Sequence, residues 1–423
     1  MEQTLVERDK KAIWHPYTSQ KITADPIAIV QGKGSYLIDS EGNRYIDAIS
    51  SWWVNLHGHA HPYIAEKLYK QATTLEHVIF ARFTHEPAIA LAERLLNLLP
   101  GFSKIFYSDN GSTATEVSVK MSLQFWWNRG NQQRKKIIAL KNGYHGDTFG
   151  AMSVSDRGIF TMAFEDKLFE VIFIDPNADP ASLHKTHSFT WQEIACFIYE
   201  PLVQGAGGMK MYPATSLNEL LRFIKEKKII CIADEVMTGF YRTGKRWASD
   251  YCEETPDIIC LSKGLTGGTM PLGVTACNEE IYNAFVSSDK LKTFFHGHSF
   301  TANPLGCTSA LASLDLLENE ECRDRIKNIV QFNKNFISRL QSSPINHRSK
   351  NFRQLGTIIA FEMVTGEKDE YLNDISGIIT AKSLQQGVYL RPLGNTVYIM
   401  PPYCTTEEEL QEIYDAVEGL LAL

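Results

Sequence analysis

A lysine and an aspartate, each placed just past a short apolar run, carry the first chemical signal of this chain. Lys263 ends the stretch Asp257-Ile258-Ile259-Cys260-Leu261-Ser262-Lys263 and is followed by Gly264. Asp234 follows Ile229-Ile230-Cys231-Ile232-Ala233. A primary amine at one strand end can condense with an aldehyde. A carboxylate at another strand end can pair with a ring nitrogen and keep it protonated. Those are the two groups that pyridoxal 5'-phosphate (PLP) requires, so the pair points to carbanion chemistry on an amine substrate.

Other segments supply groups that such a site would use. Ser108-Asp109-Asn110-Gly111-Ser112-Thr113 follows a strand-like run and opens a helix, with Ser112 or Thr113 as its expected cap. By itself this is a plain helix start; beside a lysine–aspartate pair it reads as a phosphate cradle, because a helix N-terminus suits an anion. Tyr144, in Asn142-Gly143-Tyr144-His145-Gly146-Asp147, either stacks on a planar heterocycle or packs on the sheet edge. Gln204, among the glycines after Glu200-Pro201, either bonds a ring hydroxyl or sits in a bland loop. Trp52 and Trp53 are adjacent; on a strand they face opposite ways, one into the core and one towards a pocket. Arg242 and Arg391 offer guanidinium forks suited to a carboxylate, or are ordinary solvated arginines. His296 and His298 lack a third ligand at a useful spacing, and the alternation of His57, His59 and His61 is broken by glycine and proline, so no metal is expected.

The elements that must position these groups are legible as patterns. Tyr36–Asp39 and Arg44–Asp47 flank a glycine turn and read as a hairpin. From about residue 60 to 310, helices alternate with short runs apolar on both faces: 104–107, 136–140, 171–174, 194–199, 229–233, 258–261 and 272–276. Such runs suit a largely parallel sheet covered on both sides, where ligands gather at the carboxyl ends of strands. The last hundred or so residues read as a smaller α+β lobe: a helix from about Pro304 to Leu317, more helix to about Leu340, strands near 356–361 and 396–400, and a helix over Glu407–Leu421.

The chain has 423 residues, 44% hydrophobic and 22% charged, with a formal net charge of −7. That is globular composition with no extended basic surface for nucleic acid. The charged N-terminus is not a signal peptide, and no apolar run approaches the ~20 residues of a membrane span. The eight cysteines have no CxxC pair and read as reduced thiols, hence a cytoplasmic setting.

Taken together, these residues resemble the class III (ω-type) aminotransferases of PLP fold type I. The resemblance runs from Trp14-His15-Pro16-Tyr17 to Met400-Pro401-Pro402-Tyr403, with Ala233-Asp234-Glu235-Val236 and Ser262-Lys263-Gly264 carrying the general pattern. His15-Pro16-Tyr17, Ser51-Trp52-Trp53, Tyr144-His145-Gly146-Asp147, Gly239-Phe240-Tyr241-Arg242-Thr243-Gly244 and Leu390-Arg391-Pro392 are similar to the branch that forms 7,8-diaminononanoate for biotin synthesis. The resemblance implies an α/β fold with a mostly parallel seven-stranded sheet, helices on both faces and a smaller α+β domain. It divides the chain into an N-terminal segment (1–60), a large PLP-binding domain (61–310) and a C-terminal small domain (311–423). It implies S-adenosylmethionine as amino donor and 8-amino-7-oxononanoate as acceptor; a lysine donor, a diamine or a β-amino acid are the alternatives.

The same resemblance assigns roles. Lys263, Asp234 and Tyr17 are the expected catalytic residues. Gly111, Ser112, Tyr144, His298 and Ser299 join Lys263 and Asp234 around the cofactor. Tyr17, Trp52, Trp53, Tyr144, Lys263, Gly297, Arg391 and Tyr398 are the expected substrate contacts, with Arg242 and Asp147 in support. Gly297-His298-Ser299 is similar to a loop that reaches the other subunit's cofactor in a homodimer, where family members often carry proline-threonine in place of His298-Ser299.

Overall fold

Strands that are apolar on both faces cannot meet water on either side, and the chain covers them from both. The computed structural model describes residues 3–183, 189–364 and 375–422. Its largest sheet has seven strands in the order Lys104–Ser108, Gly273–Cys277, Ile258–Leu261, Ile230–Asp234, Ile194–Tyr199, Lys136–Leu140, Val171–Ile174. Gly273–Cys277 runs antiparallel to both neighbours, and the other pairings are parallel. The link from Leu261 to Gly273 holds only a short 3-10 turn and no crossover helix, so the strand returns antiparallel. The sheet is therefore mostly parallel, as the sequence implied, with one strand reversed.

Ile194–Tyr199 and Ile230–Asp234 are buried along their whole lengths. Alternation sends Ile230 and Ile232 to one face, in a cluster with Val117 and Phe125 of the helix Gly111–Asn128. Cys231 and Ala233 face the other way, in a cluster with Leu217 and Leu221 of the helix Ala214–Glu226.

Tyr36–Asp39 and Arg44–Asp47 form the expected antiparallel hairpin. Its turn is held by the Asp39 carboxylate, which accepts from the backbone N–H groups of Glu41 (3.0 Å) and Asn43 (2.8 Å). Ile29–Lys33 extends it on one side, and Val388–Tyr389 pairs with Arg44–Asp47 in parallel on the other, so chain from both ends meets in one sheet. A three-stranded sheet (Ser349–Leu355, Ile358–Met363, Thr396–Ile399) and the helix Glu407–Leu421, which opens with a Thr406–Glu409 capping box, lie in the C-terminal part. No helix among the described residues is long and apolar enough to cross a membrane.

One local expectation is overturned. Ser50–Trp53 is not a strand but a tight turn in which Ser50, Ser51, Trp52 and Trp53 all have positive φ (52°, 49°, 80° and 73°). Consecutive left-handed residues fold the chain back on itself, a conformation costing on the order of 1 kcal/mol or more per residue that only surrounding structure can hold.

Candidate active site

Strand register brings the chemistry to one edge of the sheet. Parallel pairing sets Ala233 opposite Tyr199 and Asp234 opposite Cys260, so Glu200 emerges beside Asp234 and Lys263 follows just beyond. Lys136–Leu140, paired with Ile194–Tyr199, delivers the segment Asn142–Asp147 to the same side.

Asp234 is buried. Its Oδ1 accepts from the Val236 N–H at 3.0 Å, and its Oδ2 lies 2.7 Å from His145 Nδ1. The His145 ring is fully enclosed and its Nε2 has no hydrogen-bond partner among the described residues. Glu200, also buried, accepts from the N–H groups of Tyr144 and Gly205, both at 2.9 Å, tying two loops together. Burial pushes its carboxyl up to about 7; His145 opposes this, Asp234 adds to it, and the two N–H donors oppose it.

Lys263 begins a 3-10 turn at φ 45°, and its Nζ lies 4.9 Å from the centroid of a Trp53 ring. That nitrogen makes no hydrogen bond or ion pair among the described residues. Burial lowers the amine below its ordinary value, while Asp234 and Glu200 pull it back up.

These groups surround a cavity of about 620 Å³, walled by Gly111, Ser112, Tyr144, Asp234, Val236 and Lys263 among others. The helix that starts there is capped by Asn110, whose side chain accepts from Thr113 N, with Thr113 reciprocating. Asn110, rather than Ser112 or Thr113, is thus the cap. Ser112 Oγ instead accepts from Asp147 N–H at 3.0 Å. Two glycines are required by contact: a Cβ on Gly111 would meet Val236 Cγ1 at 2.7 Å, and one on Gly146 (φ 128°) would fall 1.8 Å from Ser112 Oγ. A planar pyridine aldehyde with a phosphate arm fits these residues. The unpartnered amine answers the aldehyde, the buried carboxylate answers the ring nitrogen, and the helix N-terminus answers the phosphate, in a space of ordinary ligand size.

A second chamber of about 370 Å³ adjoins the first and shares Trp53, Tyr144 and Lys263 with it; Tyr17, Trp52, Phe160 and Arg391 complete its character. The left-handed turn splits the two indoles: Trp53 is buried and Trp52 is exposed. The Arg391 guanidinium lies 4.4 Å over Trp52, the Tyr17 ring meets Trp52 edge-on at 5.4 Å, and the Tyr17 hydroxyl donates to Asp147. Tyr17 and Tyr144 hydroxyls are 3.4 Å apart.

Three residues, Tyr398, Gln204 and Arg242, lie elsewhere than their sequence reading placed them. Tyr398 is buried behind Trp53, whose indole N–H donates to its hydroxyl at 3.0 Å, so it stands one layer back from the chamber. Gln204 turns away and donates to the Lys141 carbonyl at 2.6 Å. Arg242 is neither a carboxylate fork nor solvated: it is 1% exposed and donates to the carbonyls of Pro401, Trp53 and Asn55. Gly297, His298 and Ser299 are not in the wall of either chamber; His298 bonds His296 at 2.9 Å and Asp109 at 3.2 Å. Three site residues went unread. Glu200 had a usable signal, an acid following a wholly apolar strand as Asp234 does. His145 stood inside a quoted motif without a role, and nothing in the pattern marks Phe160.

The model of the family "Aminotransferase class-III" matches residues 17–421, and the chain belongs to that family. Within it, the chain is 45% identical over 423 aligned positions to the adenosylmethionine-8-amino-7-oxononanoate aminotransferase of Synechococcus elongatus, covering 97% of this chain and 98% of that one. It is 40% identical to the protein of the same description from Geobacter sulfurreducens, covering 98% and 97%. Among solved structures, the adenosylmethionine-8-amino-7-oxononanoate aminotransferase of Methanocaldococcus jannaschii superposes with a TM-score of 0.91 at 36% identity over 98% of each chain. The ω-transaminase of Pseudomonas jessenii, solved in complex with PMP, gives 0.92 at 26% identity over 99% of this chain and 98% of that one. This chain is accordingly a PLP-dependent aminotransferase.

Proposed function

We propose that the chain moves an amino group from S-adenosylmethionine to the ketone of 8-amino-7-oxononanoate, giving 7,8-diaminononanoate on the route to biotin. One observation carries the reading: Lys263 lines both chambers, so a single amine faces the space that suits the cofactor and an aromatic chamber that ends at Arg391. PLP, when bound, supplies an electron sink for the charge left on a substrate carbon after proton loss.

Lys263, as the neutral amine that burial favours, takes the proton from the donor's α-carbon and returns one in the acceptor half. Asp234, held by Val236 N–H and His145, would pair with the cofactor's ring nitrogen and keep it protonated. Gly111 and Ser112, at the helix N-terminus, would hold the cofactor's phosphate, and Tyr144, in the same wall, would contact its ring. Tyr17, braced by Asp147, closes the substrate side with Trp52 and Trp53, while Arg391 takes a substrate carboxylate. The Gly297–Ser299 loop, outside the walls of its own chambers, serves the site of a partner subunit in a homodimer. The segment 1–60, the domain 61–310 and the domain 311–423 act as one cytoplasmic enzyme. Five of its eight free cysteines are buried, as reduced thiols would be.

The test is a pair of half-reactions on the loaded enzyme, with S-adenosylmethionine or with L-lysine as sole donor, followed by the cofactor's absorption. Conversion by S-adenosylmethionine and not by lysine is expected. Conversion by lysine alone assigns the lysine-donor branch, and response only to a diamine or β-amino acid overturns the acceptor as well.

A further inference from the structure

Outside both chambers, one run of polar contacts joins four titratable side chains. Lys120, on the helix Gly111–Asn128, has its Nζ 2.9 Å from His296 Nδ1. His296 Nε2 lies 2.9 Å from His298 Nε2. His298 Nδ1 stands 3.2 Å from Asp109 Oδ2. Among the described residues no three ligating side chains are grouped so as to hold a metal ion, so the paired imidazoles need another reading.

Donor chemistry fixes the protons. An ammonium can only donate, so His296 Nδ1 is bare and accepts. The ring proton of His296 then sits on Nε2 and is donated to His298 Nε2, which is bare in turn. That leaves the N–H of His298 Nδ1 facing the Asp109 carboxylate. The contacts run one way, from cation to carboxylate, through two neutral rings. An extra proton breaks the run wherever it enters: either the Lys120 link or the His296–His298 link then sets donor against donor.

The surroundings resist that proton. Burial lowers His296 from its ordinary value, Lys120 and His298 add repulsion, and Glu116 opposes them. Glu116, one helical turn before Lys120, is itself engaged by the N–H groups of Gly150 and Ala151, at 2.6 and 3.1 Å. The rings beside His296 are Phe106 and Phe294, which carry no charge.

The ends of the run decide what it fastens. Asp109 directly precedes Asn110, the cap of the helix whose start, at Gly111 and Ser112, suits the cofactor's phosphate. His296 and His298 flank Gly297 and lead into Ser299. Thr301 Oγ1 ties this turn, accepting from His298 N–H and donating to its carbonyl, both at 2.9 Å. Phe295 and Phe300, on either side, are exposed, as a surface that meets a second copy would be.

We propose that His296 and His298 are positioning residues: their one-way run fastens the Gly297–Ser299 loop to the start of the cofactor helix, and a single added proton unfastens it and loosens the hold on PLP. The inference rests on that loop serving a partner subunit's site.

The test is the rate of PLP release from the loaded protein into cofactor-free buffer, read from the cofactor's absorption. His296→Ala breaks both links and should release PLP about 10-fold faster than native at about pH 7.5. His296→Gln can accept from Lys120 through its carbonyl and donate to His298 through its amide, and it does not titrate. It should hold PLP within about twofold of native at about pH 7.5. A histidine lowered in the fold stays neutral down to its ordinary value of 6.5 and takes a proton only below it. In that acid range native release should accelerate by about 10-fold more than release from His296→Gln. Other groups that titrate around the cofactor act in both proteins and cancel. Matching acid profiles in the two, or native-rate release from a folded His296→Ala, overturns the proposal. Light scattering on the native protein separates this from the reading beneath it: a monomer removes the partner reading and this inference with it, whereas a dimer with either of those results removes this inference alone.

Discussion

Two basic residues close to one another in space, Lys263 and Arg242, show what separates a chemical group from a structural one. Both are shifted down by burial, and both stand near Trp53. Arg242 spends two guanidinium nitrogens on the carbonyls of Pro401, Asn55 and Trp53 and lies over the Tyr403 ring at 5.0 Å. It staples two stretches of backbone, at Pro401 and at Trp53–Asn55, the second continuing the strained turn that carries the paired indoles. Lys263 has no such engagement among the described residues: its amine faces a cavity, with carboxylates near enough to act on it but none of them bonded to it. An amine left unspent at the edge of a cavity can still react, whereas a cation already bonded to the main chain cannot leave without unravelling it.

Substitution should separate the two cleanly. Lys263→Ala should cut turnover by at least ~10³-fold, because no neighbouring base can replace the amine. Its unfolding free energy should stay within about 1 kcal/mol of native, since no hydrogen bond is lost. Equal turnover in the variant would end the account of the site. Arg242→Met should do the reverse, lowering stability by about 2–4 kcal/mol as three carbonyls lose their donor. The protein that remains folded should keep turnover within about 10-fold of native, as judged by denaturant unfolding and by assay at low temperature. A stable, inactive Arg242→Met would move that residue to the chemical side of the contrast.

Arg391 tests the middle ground. Its guanidinium rests on an exposed indole at the chamber wall, neither enclosed like Arg242 nor central like Lys263. Arg391→Ala should lower kcat/KM for 8-amino-7-oxononanoate by about 100-fold through the loss of one charge-assisted contact, with little change in stability. Unchanged steady-state constants for both substrates would remove it from the site.

The contrast also explains what the sequence disclosed. Asp234 and Lys263 were legible because a polar residue after an all-apolar run marks the end of a buried strand, and the parallel pattern says on which side that end lies. The hairpin closed at Asp39 was legible for similarly local reasons, as was the presence of a helix after Ser108, although its cap is Asn110 and not Ser112 or Thr113. Arg242 and Tyr398 were not, because their burial depends on partners more than a hundred positions away, at Pro401 and at Trp53. The left-handed turn at Ser50–Trp53 defeated local reading altogether: no glycine signals it, and tertiary packing imposes it. Phe160 owes its place to edge-on ring contacts with Tyr17 and Tyr144, which no spacing encodes.

His57 offers the smallest and most specific check, because it titrates where the other braces do not. It is buried under the Lys263 turn: its Nε2 lies 3.0 Å from Ser313 Oγ, and that hydroxyl donates to the Gly264 carbonyl at 3.3 Å. Burial lowers its pKa to about 3, with His61 and Arg242 adding repulsion and Ser313 opposing. A base depressed in the folded state is protonated first in the unfolded chain. Its contribution is therefore unfavourable below the ordinary value of 6.5, and stability falls as pH drops from there towards 3. The slope from this one group approaches about 1.4 kcal/mol per pH unit. His57→Gln, which keeps a polar group for Ser313, should unfold in urea with a shallower loss between pH 6.5 and 4 while matching native turnover at neutral pH within about twofold. An identical slope in the two proteins would mean that His57 is protonated in place, and that the brace beneath Lys263 tolerates a charge which the cavity above it is built to avoid.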